Sequence, residues 1–157
     1  MRNLTIGNKA PFFSLQDKDG KKHALNKNKA DYIVLYFYPK DNTPGCTLEA
    51  KMFSNDLSKF NKLNSQVIGI SGGDNKSKEK FCQKHDLKIT LLSDQDFSIS
   101  KKYGVFKEKK MMGRVFMGIT RTTFVLDKDL KIVKIYKTVK PAIHSREVLD
   151  DISSLNK

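Results

Sequence analysis

Residues 36–50 read YFYPKDNTPGCTLEA, and this stretch decides the fold. An apolar run ends here at a turn that contains proline and glycine, and a helical pattern then begins around Cys46. The run starts at Tyr32 and shows no polar alternation, which is typical of a central strand buried on both faces. We therefore expect a strand over 32–38 that delivers Cys46 to the carboxyl edge of a sheet, where open α/β sheets bind ligands.

The position of Cys46 favours a reactive thiol. Backbone N–H groups in the first turn of a helix have no partner within the helix, and together with the helix dipole they stabilise an anion. A thiol placed there loses its proton more readily, and the thiolate is the nucleophilic form. The alternative interpretation is that Cys46 is a small apolar residue that closes a strand-to-helix turn.

Strands and helices alternate after this stretch. Apolar residues at helical spacing predict an amphipathic helix over 46–63, with an inward stripe of Leu48, Met52, Phe53, Leu57 and Phe60. A buried strand over 66–71 follows, and the loop containing Asp74 is suited to capping a helix that runs to about His85. Further along, the patterns predict a strand over 89–92, a helix over 97–103 that ends at Gly104, a hairpin over 122–127 and 131–137, and a helix over 144–155 with Val148, Ile152 and Leu155 inward.

Two segments differ from this alternation. Before the central strand, an Asp-Gly turn separates short apolar runs over 11–15 and 21–25, which predicts an N-terminal hairpin. Residues 107–118 show no periodicity, and we expect a mobile loop there. The whole order predicts an α/β sandwich with a single domain over 1–157.

The composition is typical of a globular protein. Apolar residues make up 38% of the 157 residues and charged residues 30%. No apolar run approaches the roughly 20 residues of a membrane span, and residues 1–7 lack the apolar core of a signal peptide. We therefore expect a cytoplasmic protein.

The charge is strongly basic, with 30 Lys and Arg against 17 Asp and Glu and a net charge of +13. Such a balance raises the possibility of nucleic acid or an anionic membrane as a partner. However, the lysines are spread along the chain without a long basic block, and no nucleic-acid-binding motif is present. We expect neither a specific nucleic-acid partner nor a membrane partner.

The spacing Pro39-x-x-x-Thr43-x-x-Cys46 resembles the active-site signature of peroxiredoxins. The fuller sequence over 37–47 resembles the bacterioferritin comigratory protein subgroup, which is PrxQ-like. The similarity covers most of the chain, because it continues through residues 92–94, 103–105, 117–119 and 123–124. This resemblance implies a thioredoxin-like fold with an N-terminal hairpin extension and a central mixed sheet flanked by helices.

Three residues join Cys46 in the site that the resemblance implies. Thr43 lies one turn before Cys46, where its hydroxyl would sit beside the sulfur and the peroxide; without the motif, helix N-capping is an equally good role. Pro39 would shape the loop and shield the pocket. Arg121 stands at the entry to a buried strand, where an always-charged guanidinium needs an anionic partner. The resemblance assigns Arg121 to thiolate stabilisation, and the alternative is an ordinary salt bridge.

The second cysteine, Cys82, is the candidate for resolving an oxidised Cys46. Many relatives carry a resolving cysteine five residues after the first, but Lys51 occupies that position here. Other relatives carry it on the following helix, and the resemblance places Cys82 in that set. If Cys82 is instead an inert apolar residue, an external thiol would resolve Cys46. Cys82-x-x-His85 also has the spacing of half a metal site, but no second pair completes it.

We therefore predict a thiol peroxidase that reduces hydrogen peroxide and organic hydroperoxides without a metal or organic cofactor. Cys46 would become a sulfenic acid, form a disulfide with Cys82 and be recycled by thioredoxin or a similar dithiol, in a monomeric protein. Two alternatives are an enzyme on the same fold and a protein of a different class. One is a thiol-disulfide oxidoreductase, although Thr43 occupies the first position of the Cys-x-x-Cys motif it usually needs. The other is a basic holdase or nucleic-acid-binding module with incidental cysteines.

Overall fold

A computed structural model describes residues 3–26 and 30–155. Within these residues, seven strands form one sheet, two strands form a separate hairpin, and none of the helices has the length and apolar character needed to span a bilayer. In chain order the elements are β1 (Ser14–Gln16), β2 (Lys22–Ala24), β3 (Tyr32–Phe37), α1 (Pro44–Lys62), β4 (Ser65–Ser71), α2 (Asn75–His85), β5 (Thr90–Ser93), α3 (Ser98–Lys102), β6 (Phe106–Met111), β7 (Arg114–Ile119), β8 (Thr122–Asp127), β9 (Ile132–Tyr136) and α4 (His144–Leu155).

The sheet is mixed, and β3 lies inside it. Its strand order is β2-β1-β5-β4-β3-β8-β9, in which β3 is parallel to β4 and antiparallel to β8. Alternate side chains of β3 enter two cores, Val34 and Tyr36 on one face and Leu35 and Phe37 on the other. The core around Tyr36 is closed by helical residues: Phe53, Phe60, Phe81, Val148 and Ile152. The predicted strand buried on both faces is therefore confirmed, and so is the mixed sheet flanked by helices.

Most of the other predicted elements are confirmed with small shifts in their bounds. The N-terminal hairpin forms as β1 and β2, which pair antiparallel at one edge of the sheet. The predicted cap of α2 is present, because the Asp74 carboxylate accepts a hydrogen bond from the Ser77 N–H at 2.8 Å. The final helix has the predicted bounds, and His144 and His85 lie at helix ends as expected.

The inward face of α1 differs from the prediction. The helix begins at Pro44 rather than at residue 46, because proline is well suited to the first helical position. Leu48 is exposed, because five residues before Phe53 correspond to about 140° beyond a full turn, which places it on the outer face. Glu49 is buried on the inner face, where no charged residue was predicted. Leu155, in the last turn of α4, is also exposed rather than inward.

The prediction of a mobile loop over 107–118 is wrong. These residues lie in an antiparallel hairpin of β6 and β7, in which Lys107 pairs with Gly118 and Lys110 with Val115. The turn is made by Met112 and Gly113, both with positive φ of 53° and 77°, as a two-residue hairpin turn requires. Most side chains of this hairpin are exposed, so its strands lack the apolar alternation by which strands are recognised.

A close approach between β3 and β4 yields a test of the fold. Gly69 pairs with Tyr36, and a Cβ at Gly69 would lie 2.7 Å from both Tyr36 Cζ and Leu91 Cδ2. Gly69→Ala should therefore lower the free energy of unfolding by about 1–3 kcal/mol through overpacking. Urea denaturation measures the change, with the exposed helical substitution Ser58→Ala as control. Equal stability of the two variants would show that the Tyr36 ring moves aside freely.

Candidate active site

Cys46 lies where the chain passes from β3 to α1. It is the third residue of the helix and is only 1% exposed. The Thr47 N–H donates to the Thr43 carbonyl at 2.8 Å. The amides of Gly45 and Cys46 therefore lie in the turn before the helical hydrogen bonds begin, where they stabilise an anion. The placement of Cys46 at a helix start, as predicted from the sequence, is present.

Arg121 comes from a distant part of the chain and lies against Cys46. Its Nη2 donates to the Cys46 Sγ at 3.4 Å, and its Nη1 donates to Glu49 Oε1 at 2.7 Å. A Cβ at Gly45 would lie 3.1 Å from Nη2, so glycine leaves room for this approach. Burial acts to lower the pKa of Arg121, but the charges of Cys46 and Glu49 outweigh burial, and the pKa is raised. The guanidinium is therefore a fixed cation beside the sulfur.

Glu49 is a site residue that sequence reasoning missed. It is fully buried, and burial raises its pKa from 4.5 to about 7, although Arg121 opposes the rise. Its Oε2 has no hydrogen-bond partner within the described part of the chain. Glu49 follows Cys46 by three positions, so both side chains lie on one face of α1. The available signal was a carboxylate at helical spacing from the apolar residues of α1, although Asp56, a second carboxylate, is also buried on that face.

The Thr43 side chain does not cap α1, although Thr43 is the N-cap residue. Its hydroxyl instead donates to the Lys40 carbonyl at 2.9 Å. The hydroxyl hydrogen is therefore engaged, while the oxygen keeps lone pairs that can accept a hydrogen bond. Pro39 is half-buried at the start of the same loop.

The β6–β7 hairpin brings a second cation, Lys109, towards the site. Its Nζ donates to the Ile119 carbonyl at 3.0 Å, two residues before Arg121. Burial lowers the pKa of Lys109, and the charge of Arg121 adds to the decrease while that of Cys46 opposes it. The Lys109 ammonium is therefore held on the Ile119 carbonyl and interacts electrostatically with both Arg121 and Cys46. Lys109 was not among the predicted site residues, because residues 107–118 were predicted to form a mobile loop.

Cys82 lies on α2 and packs in the same core as Cys46. Both thiols are free. Burial is the largest influence on Cys82 and raises the pKa of its thiol. Tyr36 lies near both cysteines: burial raises the pKa of its hydroxyl, and the charges of Glu49, Cys46 and Cys82 add to the increase. The two thiols therefore belong to one core, and both influence the pKa of the Tyr36 hydroxyl.

Around Cys82 and His85, the described part of the chain supplies no second half for a metal site. Among the residues that are described, no three His, Cys, Asp or Glu side chains form a group suited to a metal ion. The chemistry available at Cys46 is that of a sulfur nucleophile next to an arginine. Such a site can attack an electrophilic atom and stabilise the negative charge of a leaving group.

Comparison with known protein families gives a match over most of the chain. A model of the AhpC/TSA family matches residues 6–135. Peroxiredoxin Bcp of Bacillus subtilis (strain 168) is 38% identical over 154 residues, which cover 98% of each chain. Peroxiredoxin Bcp of Escherichia coli (strain K12) is 37% identical over 150 residues, which cover 96% of each chain.

Solved structures match in the same way. The Xanthomonas campestris bacterioferritin comigratory protein, studied for its alkyl peroxide reduction activity, has a TM-score of 0.86 and 34% identity over 92% of both chains. A mutant of Xylella fastidiosa PrxQ has a TM-score of 0.93 and 32% identity over 100% of both chains. The predicted thioredoxin-like fold is confirmed by these similarities.

The burial of Glu49 predicts a pH dependence of stability. Folding raises the pKa of Glu49 from 4.5 to about 7, so its stabilising contribution is complete below pH 4.5 and is lost as the pH rises through 7. Relative to Glu49→Gln, the wild-type free energy of unfolding should fall by about 2–3 kcal/mol between about pH 5 and about pH 8. Urea denaturation across this range measures the difference, with the exposed Glu79→Gln as control. A pH-independent difference would mean that Glu49 is ionised throughout.

Proposed function

This chain belongs to the AhpC/TSA family and is a thiol peroxidase that reduces peroxides, and we propose that Cys46 is the thiol that attacks the peroxide. The observation that carries this assignment is the Arg121 guanidinium, whose Nη2 lies 3.4 Å from the Cys46 Sγ. A fixed cation at this distance stabilises the thiolate, which is the reactive form. Cys82 is the weaker candidate, because burial raises the pKa of its thiol.

The first step transfers one oxygen atom to sulfur. The Cys46 thiolate attacks one oxygen in line with the O–O bond, so that an S–O bond forms and the O–O bond breaks. The other oxygen takes up a proton and leaves as water or an alcohol. Cys46 is oxidised to a sulfenic acid, and the peroxide is reduced. The substrates are hydrogen peroxide and organic hydroperoxides.

The other predicted residues have distinct roles in this step. The Thr43 oxygen accepts a hydrogen bond from the hydroperoxide, because its own hydrogen is already donated to Lys40. Arg121 donates to the developing negative charge, and the Glu49 carboxyl, at 2.7 Å, keeps the guanidinium in place. Pro39 shapes the loop and shields the pocket from water.

Cys82 resolves the sulfenic acid. Its sulfur attacks the Cys46 sulfur, an S–S bond forms, and the sulfenic oxygen leaves as water. Two Cys-to-Ser mutants of Xanthomonas campestris Peroxiredoxin Q support the pairing, because their two cysteines are separated by as many positions as Cys46 and Cys82. A disulfide needs Cα atoms about 4.4–6.8 Å apart. Because Cys46 and Cys82 lie in different helices, we infer that the start of α1 or part of α2 unwinds for this step.

A dithiol returns the enzyme to its reduced form. Thioredoxin or a similar dithiol exchanges with the Cys46–Cys82 disulfide, so the reductant is oxidised by two electrons and both protein thiols are restored. A disulfide that forms and is reduced in every turnover fits the reducing cytoplasm. Both cysteines belong to one chain, which fits a monomer with a single domain over 1–157. No nucleic acid, membrane, metal or organic cofactor takes part in these steps.

The first test of this function separates the two cysteines. Cys46→Ser should abolish peroxide reduction, because the nucleophile is lost. Cys82→Ser should complete one turnover and stop with stoichiometric sulfenic acid on Cys46, which a dimedone-type probe and mass spectrometry detect. Labelling of Cys82 in the wild type with Cys46 unreacted would reverse the assigned roles.

The second test concerns the geometry of the cation. Arg121→Lys keeps the charge, but one ammonium cannot reproduce the planar fork that reaches both the Cys46 Sγ and Glu49. The second-order rate constant with hydrogen peroxide should fall on the order of 10²-fold. Arg146→Lys, at an exposed position of α4, is the matched control and should react at the wild-type rate. A rate for Arg121→Lys within about twofold of wild type would falsify the role given to the guanidinium.

A further inference from the structure

A buried ion pair lies between the two cysteine-bearing parts of the chain. Lys78 Nζ is 2.9 Å from Asp41 Oδ2, and the two side chains are 0% and 3% exposed. Burial lowers the pKa of Lys78, whereas Asp41 opposes the decrease. Neither residue takes part in the peroxide chemistry described above. Burial of a charged pair is unfavourable because both ions are desolvated, and other interactions have to compensate for this cost.

The hydrogen bonds of this pair are complete. The Lys78 ammonium donates to Asp41 Oδ2, to Ser71 Oγ at 2.8 Å and to the Gly72 carbonyl at 2.7 Å, so all three of its hydrogens are used. The Asp41 carboxylate also accepts from the Tyr38 hydroxyl at 2.6 Å and from the Ser77 hydroxyl at 2.7 Å. Such a network is stable only while every partner is in place.

The network joins three segments that the chain order separates. Asp41 belongs to the loop between β3 and α1, which leads to Cys46. Ser71 and Gly72 lie where β4 ends. Lys78 lies on α2, one helical turn before Cys82. Movement of α2 away from the loop therefore breaks several hydrogen bonds together. It either exposes the charges of Lys78 and Asp41 to water or leaves them buried without a partner.

We propose that Lys78 and Asp41 form a latch that holds α2 folded against the loop before Cys46 and thereby sets the rate at which Cys82 resolves the Cys46 sulfenic acid. This inference rests on the proposed function, because it concerns the Cys46–Cys82 disulfide. Lys78 is a positioning residue: it acts through the helix that carries Cys82 and not on the peroxide.

The latch decides between two fates of the sulfenic acid. In one, the Cys82 thiol displaces water and the disulfide forms. In the other, a second peroxide oxidises the sulfenic acid to a sulfinic acid and leaves as water or an alcohol. The fraction of Cys46 that is oxidised to sulfinic acid increases when disulfide formation is slow or when the peroxide concentration is high. A tighter latch therefore makes the enzyme more sensitive to overoxidation.

The decisive variant is Lys78→Met, which removes the ammonium and keeps most of the apolar stem. Loss of the three hydrogen bonds donated by the ammonium should speed disulfide formation about tenfold. The peroxide concentration at which half of Cys46 becomes sulfinic acid should rise by about the same factor. The rate of sulfenic acid formation should stay within about twofold of wild type, because Lys78 does not contact the peroxide. Lys80→Met, at an exposed position of the same helix, is the matched control.

Rapid-quench mass spectrometry measures the sulfenic acid, disulfide and sulfinic acid in each variant. Ser77→Ala covers the case in which Lys78→Met does not fold. It removes one hydrogen bond to Asp41 and keeps the Ser77 N–H cap, and it should speed resolution about threefold. Amide exchange over 75–82 should quicken in both variants and not in Lys80→Met.

The outcomes separate this inference from the proposed function. If the wild type forms no Cys46–Cys82 disulfide, the resolving role proposed for Cys82 is wrong, and the latch is overturned with it because it has no reaction to control. If the disulfide forms but resolution in Lys78→Met and Ser77→Ala is as slow as in Lys80→Met, the latch is overturned while the function stands. That second result would mean that the two sulfurs meet without movement of Lys78, through unwinding at the start of α1 or at the carboxyl end of α2.

Discussion

The geometry around Cys46 depends on one shared cation. The Arg121 guanidinium donates to the Cys46 sulfur and to the Glu49 carboxyl, and both of these groups are buried. Two buried groups that can carry negative charge are unfavourable unless a cation lies between them, and only a planar fork reaches both at once. The same demand accounts for Gly45, where a side chain would crowd the guanidinium.

The sheet makes this encounter possible. In the antiparallel pairing of β3 and β8, Phe37 lies opposite Thr122, so the point where β3 ends is the point where β8 begins. The loop that leaves β3 carries Cys46 into α1, and Arg121 directly precedes β8. Residues far apart in the chain thus meet at one edge of the sheet. The β6–β7 hairpin adds Lys109 at the same edge, because β7 leads into Arg121.

The two steps of the reaction place opposite demands on the core that contains both cysteines. During attack on the peroxide, the pocket around Cys46 must stay folded. The core beside it is built from aromatic contacts: the ring centroids of Tyr36 and Phe53 of α1 are 4.7 Å apart, and those of Tyr38 and Phe81 of α2 are 6.2 Å apart. During resolution, this packing has to yield so that the two sulfurs can meet. A fold with well-packed aromatic rings and a satisfied ion pair gives a defined closed state, and the stability of that state controls how often it opens.

The sequence by itself determined the elements whose patterns are local: the buried strand, the helix that carries Cys46, the cap at Asp74, the terminal hairpin and the last helix. It also identified Cys46, Thr43 and Arg121 as candidates, because a motif marks the first two and a guanidinium at the entry to a buried strand needs an anionic partner. Only the tertiary structure decided which charged residues are buried together. Glu49 and Arg121 are 72 positions apart, and Asp41 and Lys78 are 37 apart, so nothing local distinguishes Lys78 from the other lysines. The β6–β7 hairpin was missed for a related reason: its strands are stabilised by pairing with each other rather than by a buried face, and pairing leaves no apolar period in the sequence.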